Sequence, residues 1–162
     1  MTQNTETATR THHKTRQRLA ELGLELPDLT GAVASYVPAV RTGTTVYTSG
    51  QLPLRDGSLT ATGKVGAQVP ADEAAELAVT CVLNALAAAG THGDLDTARI
   101  LKVVGFVASA PGFNGQPSVI NGASNVLLRV FGDNGRHARS AVGVAELPLD
   151  APVEVELIVE FS

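Results

Sequence analysis

A short basic stretch ahead of an apolar segment is the part of this sequence best suited to chemistry. Arg136, His137 and Arg139 lie just before or at the start of the apolar run from Ala141 to Val144. An arginine at the edge of a strand can direct its guanidinium into a cleft and bind a carboxylate through paired N–H donors. The alternative is an arginine that closes a surface ion pair or contacts a neighbouring carbonyl. The residue types alone leave both interpretations of Arg139 open.

Two other patterns resemble known sites but lack a necessary part. Residues 57–64 approach a phosphate-binding loop, but the spacing is wrong by one residue and Val65 stands where Ser or Thr would bind magnesium. Ser140 and His137 could belong to a hydrolase triad, but no nucleophile elbow surrounds the serine. Neither pattern therefore predicts a site.

Cysteine and histidine usage gives no support for a metal centre. Cys81 is the sole cysteine, which excludes an intrachain disulfide and any zinc or iron–sulfur site built on a cysteine cluster. It falls within the apolar stripe of a predicted helix, with no base supplied nearby, so we interpret it as a core residue. His12 and His13 are adjacent but have no third ligand close in the sequence. We expect neither a metal nor an organic cofactor.

Apolar periodicity predicts the elements that position these residues. In the first half of the chain we expect a helix over 15–22, a hairpin of strands 33–41 and 44–49 joined through Thr42-Gly43, and a turn at Asp56-Gly57 followed by an edge strand over 59–61. A helix over 70–89 follows, and then a strand over 100–109 covered on both faces. The last elements are a helix from Pro117 that stops at Gly132 and strands over 140–147 and 153–161. This order predicts an α+β fold, with two main helices on one face of a mixed sheet. Residues 1–14 lack periodicity and are predicted to be a flexible tail before a single domain over 15–162.

Composition sets the class of protein. The 162 residues include 12 Lys+Arg and 16 Asp+Glu, and this mild acidic excess gives no drive toward nucleic acid. No run of about 18 apolar residues suggests a membrane span. We therefore expect a cytoplasmic protein with neither nucleic acid nor membrane as partner. Aromatic residues are only 4%, so the core must be aliphatic, and subunits with such cores often leave an apolar face for a neighbouring copy.

Three blocks of residues resemble, in order, the signature blocks of the Rid family. They are Ser35-Tyr36-Val37-Pro38, residues 48–53 (Thr-Ser-Gly-Gln-Leu-Pro) and residues 139–148 (Arg-Ser-Ala-Val-Gly-Val-Ala-Glu-Leu-Pro), and residues 153–156 resemble the family's last strand. This family, also called YjgF-like and, under an older label, endoribonuclease L-PSP, covers roughly residues 30–161. The resemblance implies a chorismate-mutase-like α+β fold, a homotrimer whose strands form a central barrel, and ligand sites in the clefts between subunits.

The resemblance also implies an activity and a set of site residues. Active members hydrolyse reactive enamines and imines, such as 2-aminoacrylate, to 2-oxo acids and ammonia, and are hydrolases of the 2-iminobutanoate/2-iminopropanoate deaminase type. Arg139 would anchor the substrate carboxylate, and Glu154 would orient or deprotonate the attacking water. Glu154 can equally be a solvated glutamate on an alternating strand. Ligand contacts would come from Tyr36, Ser49, Gly50, Asn121 and the backbone carbonyl of Ala141.

The sequence departs from the deaminase branch of the family at two positions. Ala141 and Gly143 stand where that branch usually has cysteine and glutamate. The pocket is therefore less polar, and a non-catalytic trimer that binds or senses a small carboxylate is the main alternative to a hydrolase. A ribonuclease follows only from the older family label, and an acidic chain with two tyrosines and no basic stripe gives it little support.

Overall fold

The computed structural model describes residues 11–29 and 35–162, and within them it contains three α-helices and seven strands. The helices are α1 (His13–Glu21), α2 (Ala71–Gly90) and α3 (Gln116–Phe131). The strands are β1 (Ala39–Thr42), β2 (Thr45–Thr48), β3 (Leu54–Arg55), β4 (Ser58–Leu59), β5 (Ala98–Ala108), β6 (Ala138–Val144) and β7 (Val153–Phe161).

Five of the strands form one mixed sheet in the order β1-β2-β7-β5-β6. All neighbours are antiparallel except β5 and β6, which are parallel because α3 carries the chain back across the sheet between them. The strands β3 and β4 form a separate ribbon around Asp56-Gly57, where both residues have positive φ. The predicted α+β fold with a mixed sheet is confirmed, and β6 is left as an edge strand.

The core lies between the sheet and the two long helices. Along β7 every second side chain, from Val153 to Phe161, is buried, as the alternation predicts. The predicted stripes of α2 and α3 are also buried, and Cys81 is a fully buried core residue. By length and composition alone α2 could cross a membrane, but 67% of that stretch is buried within the protein, as is usual for a core helix.

The open face of the sheet, opposite the helices, differs from the expectation for β5. We predicted a strand covered on both faces, but only the Val103 and Val107 side is buried, against the helices. Val104 and Phe106 point the other way and are half-exposed. Val142 of β6 and Tyr47 of β2 are exposed large hydrophobic residues of the same sheet. The apolar run of β5 is therefore continuous although the described chain buries only one of its faces.

Several element boundaries differ from the prediction. The first helix starts at His13, because the carboxylate of Asp96 accepts hydrogen bonds from the N–H groups of Lys14 (2.9 Å) and Thr15 (2.8 Å). The end of the predicted tail is thus ordered, with His12 only 8% exposed, whereas residues 1–10 lie outside the described part.

The hairpin turn is at Gly43-Thr44, one residue later than predicted, since Thr42 pairs with Thr45. The first strand begins at Ala39, and residues 30–34 lie outside the described part. The predicted edge strand over 59–61 is observed at Ser58–Leu59, and the strand predicted over 140–147 ends at Val144.

Candidate functional site

Arg139 lies on β6 and points toward α3. Its register partner on β5 is Val103, which is buried against the helices, so the two side chains share that face of the sheet. The Nη1 atom of Arg139 donates to Oδ1 of Asn121 at 2.7 Å and to Oγ of Ser124 at 3.2 Å. The structure therefore brings together two of the residues predicted from the sequence, Arg139 and Asn121.

The other edge of the Arg139 guanidinium is available to a ligand. Nε and Nη2 form no hydrogen bond within residues 11–29 and 35–162, and neither is a buried orphan atom. These two nitrogens carry parallel N–H bonds on the same side of the planar group, which match the two oxygens of a carboxylate. The surface ion pair considered as the alternative is absent from the described residues.

Two further residues of this cluster, Ser124 and His137, were not identified as site residues from the sequence. Oγ of Ser124 lies 2.9 Å from Nε2 of His137, and Nδ1 of His137 lies 2.6 Å from the carbonyl oxygen of Gly135. The spacing of Asn121 and Ser124, three residues apart on one helix, was the available signal. We refer to Asn121, Ser124, His137 and Arg139 as the Arg139 cluster.

The side chains of Ser140 and His137, which the sequence suggested as partners, do not form a hydrogen bond in the structure. His137 contacts Ser124, and Ser140 follows Arg139 directly on β6, so its side chain points to the open face of the sheet. A serine hydrolase triad at Ser140 is therefore unsupported.

Ala141 and Gly143 continue the helix-facing row of β6. Ala141 is partly buried and packs against the core. A Cβ atom added at Gly143 would lie 2.8 Å from Nε2 of Gln116 and 3.0 Å from Oγ of Ser109. The Gln116 amide thus occupies the space beside the position where the deaminase branch has a glutamate, and it is held there by hydrogen bonds to Ser109 (3.1 Å) and to the carbonyl of Phe113 (2.7 Å).

Glu154 lies on β7, on the open face of the sheet. It pairs in register with Phe106, and its Oε1 atom lies 1.8 Å from the point where a Cβ of residue 50 would be, so only glycine leaves room for the carboxylate. Gly50 is held there because its neighbour Gln51 exchanges two backbone hydrogen bonds with Val155, at 2.8 and 3.0 Å. The sequence-predicted residues Gly50 and Glu154 are therefore in contact.

The carboxyl group of Glu154 titrates abnormally. Partial burial, and secondarily the negative charge of Glu156, raise its pKa above the ordinary value for glutamate. None of the hydrogen bonds or ion pairs of the described residues involves this carboxylate. A half-buried, unpaired carboxyl group of raised pKa is the type that acts as a general base or acid near neutral pH.

Ser49 and Tyr36 lie near this second cluster through the chain. Oγ of Ser49 donates to the carbonyl oxygen of Val37 at 2.6 Å, and its N–H donates to that of Pro38 at 2.7 Å. Tyr36, next in sequence to Val37, is 61% exposed. The Ser49 oxygen can still accept a hydrogen bond from a ligand. We call Ser49, Gly50 and Glu154 the Glu154 cluster; no hydrogen bond of the described residues joins the Tyr36 side chain to it.

The two clusters point away from each other within one chain. Arg139 is on the helix face of edge strand β6, whereas Glu154 is on the open face of β7, and β5 lies between the two strands. Side chains on opposite faces of a sheet cannot contact the same few-atom ligand. Of the predicted site residues, one chain unites Arg139, Asn121 and Ala141 in one region and Gly50, Ser49 and Glu154 in another.

The described residues support neither a metal site nor a reactive thiol. Among residues 11–29 and 35–162, no group of three or more His, Cys, Asp or Glu side chains could hold a metal ion. The Cys81 thiol contacts the carbonyl of Val153 at 3.6 Å, and burial, with a smaller effect of the Glu154 charge, raises its pKa well above the ordinary value. This thiol is therefore protonated and inert.

Several known proteins are similar to this chain over most of its length. It is 42% identical to Protein TCP17 of Trypanosoma cruzi over 89% of this chain and 92% of that protein. It is 34% identical to a 2-iminobutanoate/2-iminopropanoate deaminase of Dermatophagoides farinae, over 78% of this chain and 86% of that protein. The crystal structure of Atu1372 from Agrobacterium tumefaciens, described as having unknown function, superposes with a TM-score of 0.85 at 45% identity, covering 93% and 95% of the two chains.

The family profile described as Endoribonuclease L-PSP matches residues 27–161, which include both clusters. The signature blocks quoted from the sequence all fall within this range. The chain belongs to the endoribonuclease L-PSP family, also known as the YjgF or Rid family.

Proposed function

We propose that this protein hydrolyses reactive 2-imino acids, and the enamines in equilibrium with them, to 2-oxo acids and ammonia. Water adds to the carbon of the C=N bond, the nitrogen takes up protons, and the C–N bond breaks to release ammonia and leave a carbonyl. Arg139 anchors the carboxylate of the substrate, and Glu154 takes a proton from the attacking water. The deaminase name of a relative at 34% identity supports the same class of reaction.

The observation that carries this proposal is the arrangement of Arg139. Its Nη1 is held by Asn121 and Ser124, while Nε and Nη2 have no partner within the described residues. A guanidinium fixed at one corner and open along one edge is arranged to receive a planar carboxylate. Holding the carboxylate fixes the adjacent C=N carbon relative to the protein, which lowers the entropic part of the barrier to attack by water.

The Glu154 cluster supplies the second requirement, a base for water. The pKa of Glu154 is raised by burial, so its carboxylate holds a proton more strongly than a solvated glutamate does. The Ser49 hydroxyl and the exposed ring of Tyr36 are available to contact the remainder of a bound ligand. We assign them to binding and Glu154 to proton transfer.

A homotrimer is part of the proposal. Because the two clusters lie on opposite faces of one sheet, a site that uses both needs a second copy of the chain. The half-exposed Val104 and Phe106, and the exposed Val142 and Tyr47, are apolar side chains of the open face that such a copy would cover, beside the glutamates of β7. Light scattering should give three times the 16.7 kDa mass of one chain, and a monomer at micromolar concentration would remove the proposed site.

The direct test is an imine-trapping assay. 2-Aminoacrylate is generated in situ and trapped with semicarbazide, and the protein should reduce the yield of the trapped adduct. Arg139→Ala should abolish the effect, with a loss in kcat/KM of about 30- to 1,000-fold, since the substrate carboxylate loses both of its charge-assisted hydrogen bonds. Arg136→Ala is the matched control, because that side chain is 80% exposed and contacts only Asp133 among described residues. Wild-type rates no faster than buffer would contradict the proposal.

A second candidate is a non-catalytic trimer that binds a small carboxylate. The residues that favour it are Ala141 and Gly143, which replace the cysteine and the glutamate of the deaminase branch; the neutral Gln116 amide lies next to Gly143. In that case calorimetry would detect saturable binding of pyruvate or 2-oxobutyrate that is lost in Arg139→Ala, while imine hydrolysis would not exceed the buffer rate. RNA cleavage, which the family description names, should not exceed that of a mock preparation in either case.

A further inference from the structure

We propose that Ser124 and His137 are positioning residues that hold the Arg139 guanidinium with its free edge toward the ligand. The inference rests on the proposed role of Arg139 as a carboxylate anchor. It concerns two residues that neither the family resemblance nor the comparisons assign to the site. It rests on a chain of hydrogen bonds that joins them to Arg139.

The hydrogen bonds of this chain run in one direction. An arginine can only donate, so Nη1 of Arg139 donates to the oxygen of Ser124 at 3.2 Å. A carbonyl can only accept, so Nδ1–H of His137 donates to the oxygen of Gly135 at 2.6 Å. In a neutral imidazole Nε2 is then the acceptor, and the Ser124 hydroxyl donates to it at 2.9 Å. Each polar hydrogen along this chain of hydrogen bonds therefore has one acceptor, and His137 is the tautomer that carries its proton on Nδ1.

Close packing fixes the far end of the chain. A Cβ atom at Gly135 would lie 2.3 Å from the carbonyl oxygen of Leu127. Only glycine at this position therefore lets the loop before β6 lie so close to the backbone of α3. This approach brings His137 over Ser124, which is only 7% exposed. The serine is therefore oriented by the histidine rather than free to rotate.

The chain limits the rotation of the guanidinium. Asn121 alone would hold Nη1 at one point and would leave the plane of the group free to rotate about that hydrogen bond. The second acceptor, the Ser124 oxygen, fixes the plane and so fixes the direction of the Nε and Nη2 edge. Pre-ordering this edge reduces the side-chain entropy lost when a carboxylate binds. Loss of the chain should weaken ligand binding more than it slows the chemical step.

Two substitutions at one position separate positioning from packing. His137→Gln can place its amide oxygen near the site of Nε2 and still accept from Ser124. His137→Asn places its amide near Nδ1, so it keeps the hydrogen bond to Gly135 but leaves Ser124 without its acceptor. The Kd for pyruvate, measured by calorimetry, should rise about 3- to 10-fold in His137→Asn and in Ser124→Ala, as expected for loss of one hydrogen bond. His137→Gln should bind within about 2-fold of wild type by the same reasoning.

The imine-trapping assay gives the second readout. KM should rise in parallel with Kd in His137→Asn and Ser124→Ala, while kcat stays within about 2-fold of wild type, because a substrate once bound to Arg139 is held as in the wild type and only the cost of ordering the guanidinium has changed. Thermal melting identifies any variant that does not fold. If Ser124→Ala does not fold, the comparison of His137→Gln with His137→Asn still tests the inference. Equal affinities for His137→Gln and His137→Asn, or a fall in kcat without a change in KM, would overturn the inference.

The outcome for Arg139→Ala separates this inference from the proposed function. If Arg139→Ala abolishes pyruvate binding but Ser124→Ala and His137→Asn bind as tightly as wild type, positioning by the chain is wrong and the carboxylate anchor stands. If Arg139→Ala binds pyruvate normally, the anchor itself is wrong, and the positioning role fails with it.

Discussion

The Arg139 cluster and the Glu154 cluster are constructed in opposite ways. Around Arg139 the side chains of Asn121, Ser124 and His137 are joined to the guanidinium and to one another by hydrogen bonds of 2.7–3.2 Å. The carboxylate of Glu154, in contrast, occupies the space that Gly50 leaves open because it has no side chain. It has no hydrogen-bond partner within the described residues, and its pKa is raised. The first arrangement fixes the direction of a charged group, and the second leaves a half-buried carboxyl group unpaired and with a raised pKa.

The contrast also separates the tasks by face of the sheet. The Arg139 cluster is built between β6 and α3, on the helix side, and the Glu154 cluster is built between β7 and the 49–51 segment, on the open side. The proposed anchoring and the proposed proton transfer thus fall on two surfaces that one chain cannot bring together. The association of copies is what would combine them, so assembly and activity should be lost together.

Removing the charge of Glu154 should have the largest effect on turnover. Glu154→Gln keeps the shape of the side chain but cannot take a proton, so kcat for imine hydrolysis should fall about 10²- to 10⁴-fold. The Kd for pyruvate should change little, because the carboxylate anchor is intact. The imine-trapping assay and calorimetry measure the two quantities. Glu160→Gln, on the same strand and face, is the control and should keep wild-type turnover; a matching loss there would show that the strand, not the carboxyl group, is responsible.

Adding one methyl group at Gly50 should have an intermediate effect. The new Cβ would lie 1.8 Å from Oε1 of Glu154, so Gly50→Ala must displace the carboxylate. A displacement of about 1 Å is expected to lower kcat about 10- to 100-fold. In the Glu154→Gln background the same change should cost much less, because the group that it displaces is already inactive. Fully additive losses would mean that Gly50 acts independently of Glu154.

The raised pKa of Glu154 should also appear as a pH dependence of stability. Burial raises this pKa in the folded state above its value in the unfolded chain, so the folded protein binds the proton more tightly. Stability therefore falls as the pH rises through the interval between the two values, and the penalty is complete above the folded-state pKa. Glu154→Gln should melt at a higher temperature than wild type at pH 8 and lose this advantage below about pH 4. A difference in melting temperature independent of pH would contradict the assignment.

The smallest effect on activity is expected at Cys81. Its thiol is fully buried, contacts the Val153 carbonyl and has a raised pKa, so it should react with a thiol reagent only after unfolding. Cys81→Ala should cost about 1 kcal/mol of stability and leave kcat/KM unchanged. Rapid labelling of the native protein, or a loss of turnover in the variant, would require a role for this residue that core packing does not provide.

The sequence predicted the elements whose pattern is local. The helix at Ala71–Gly90 and the strand at Val153–Phe161 follow from apolar periodicity and from the turn residues at their ends. The start of the first helix was missed because its cap is the carboxylate of Asp96, which is 82 residues away from Lys14. The open face of β5 was missed because an apolar run has the same composition whether the chain itself or a second copy covers it.

The candidate site was also predictable only in part, because some of its contacts depend on tertiary packing. The resemblance to the Rid family selected Arg139, Asn121, Gly50 and Glu154, and the fold places them as two contacting pairs. Ser124 and His137 were not selected, since their contact depends on how closely the loop at Gly135 approaches α3. The alternation of β7 predicts that Glu154 faces away from the core, whereas the helix-side orientation of Arg139 follows from the pairing of β6 with β5, which no local pattern specifies.

Mixed assemblies test most directly whether Arg139 and Glu154 act together in a site formed by two copies. Arg139→Ala and Glu154→Gln, each inactive alone, are coexpressed with different affinity tags, and the doubly tagged assemblies are purified and assayed for imine hydrolysis. Every closed trimer that contains both variants has one site of three that combines an intact Arg139 from one copy with an intact Glu154 from its neighbour, so activity should return to about one third of the wild-type level. Coexpressed assemblies as inactive as either variant alone would contradict the account.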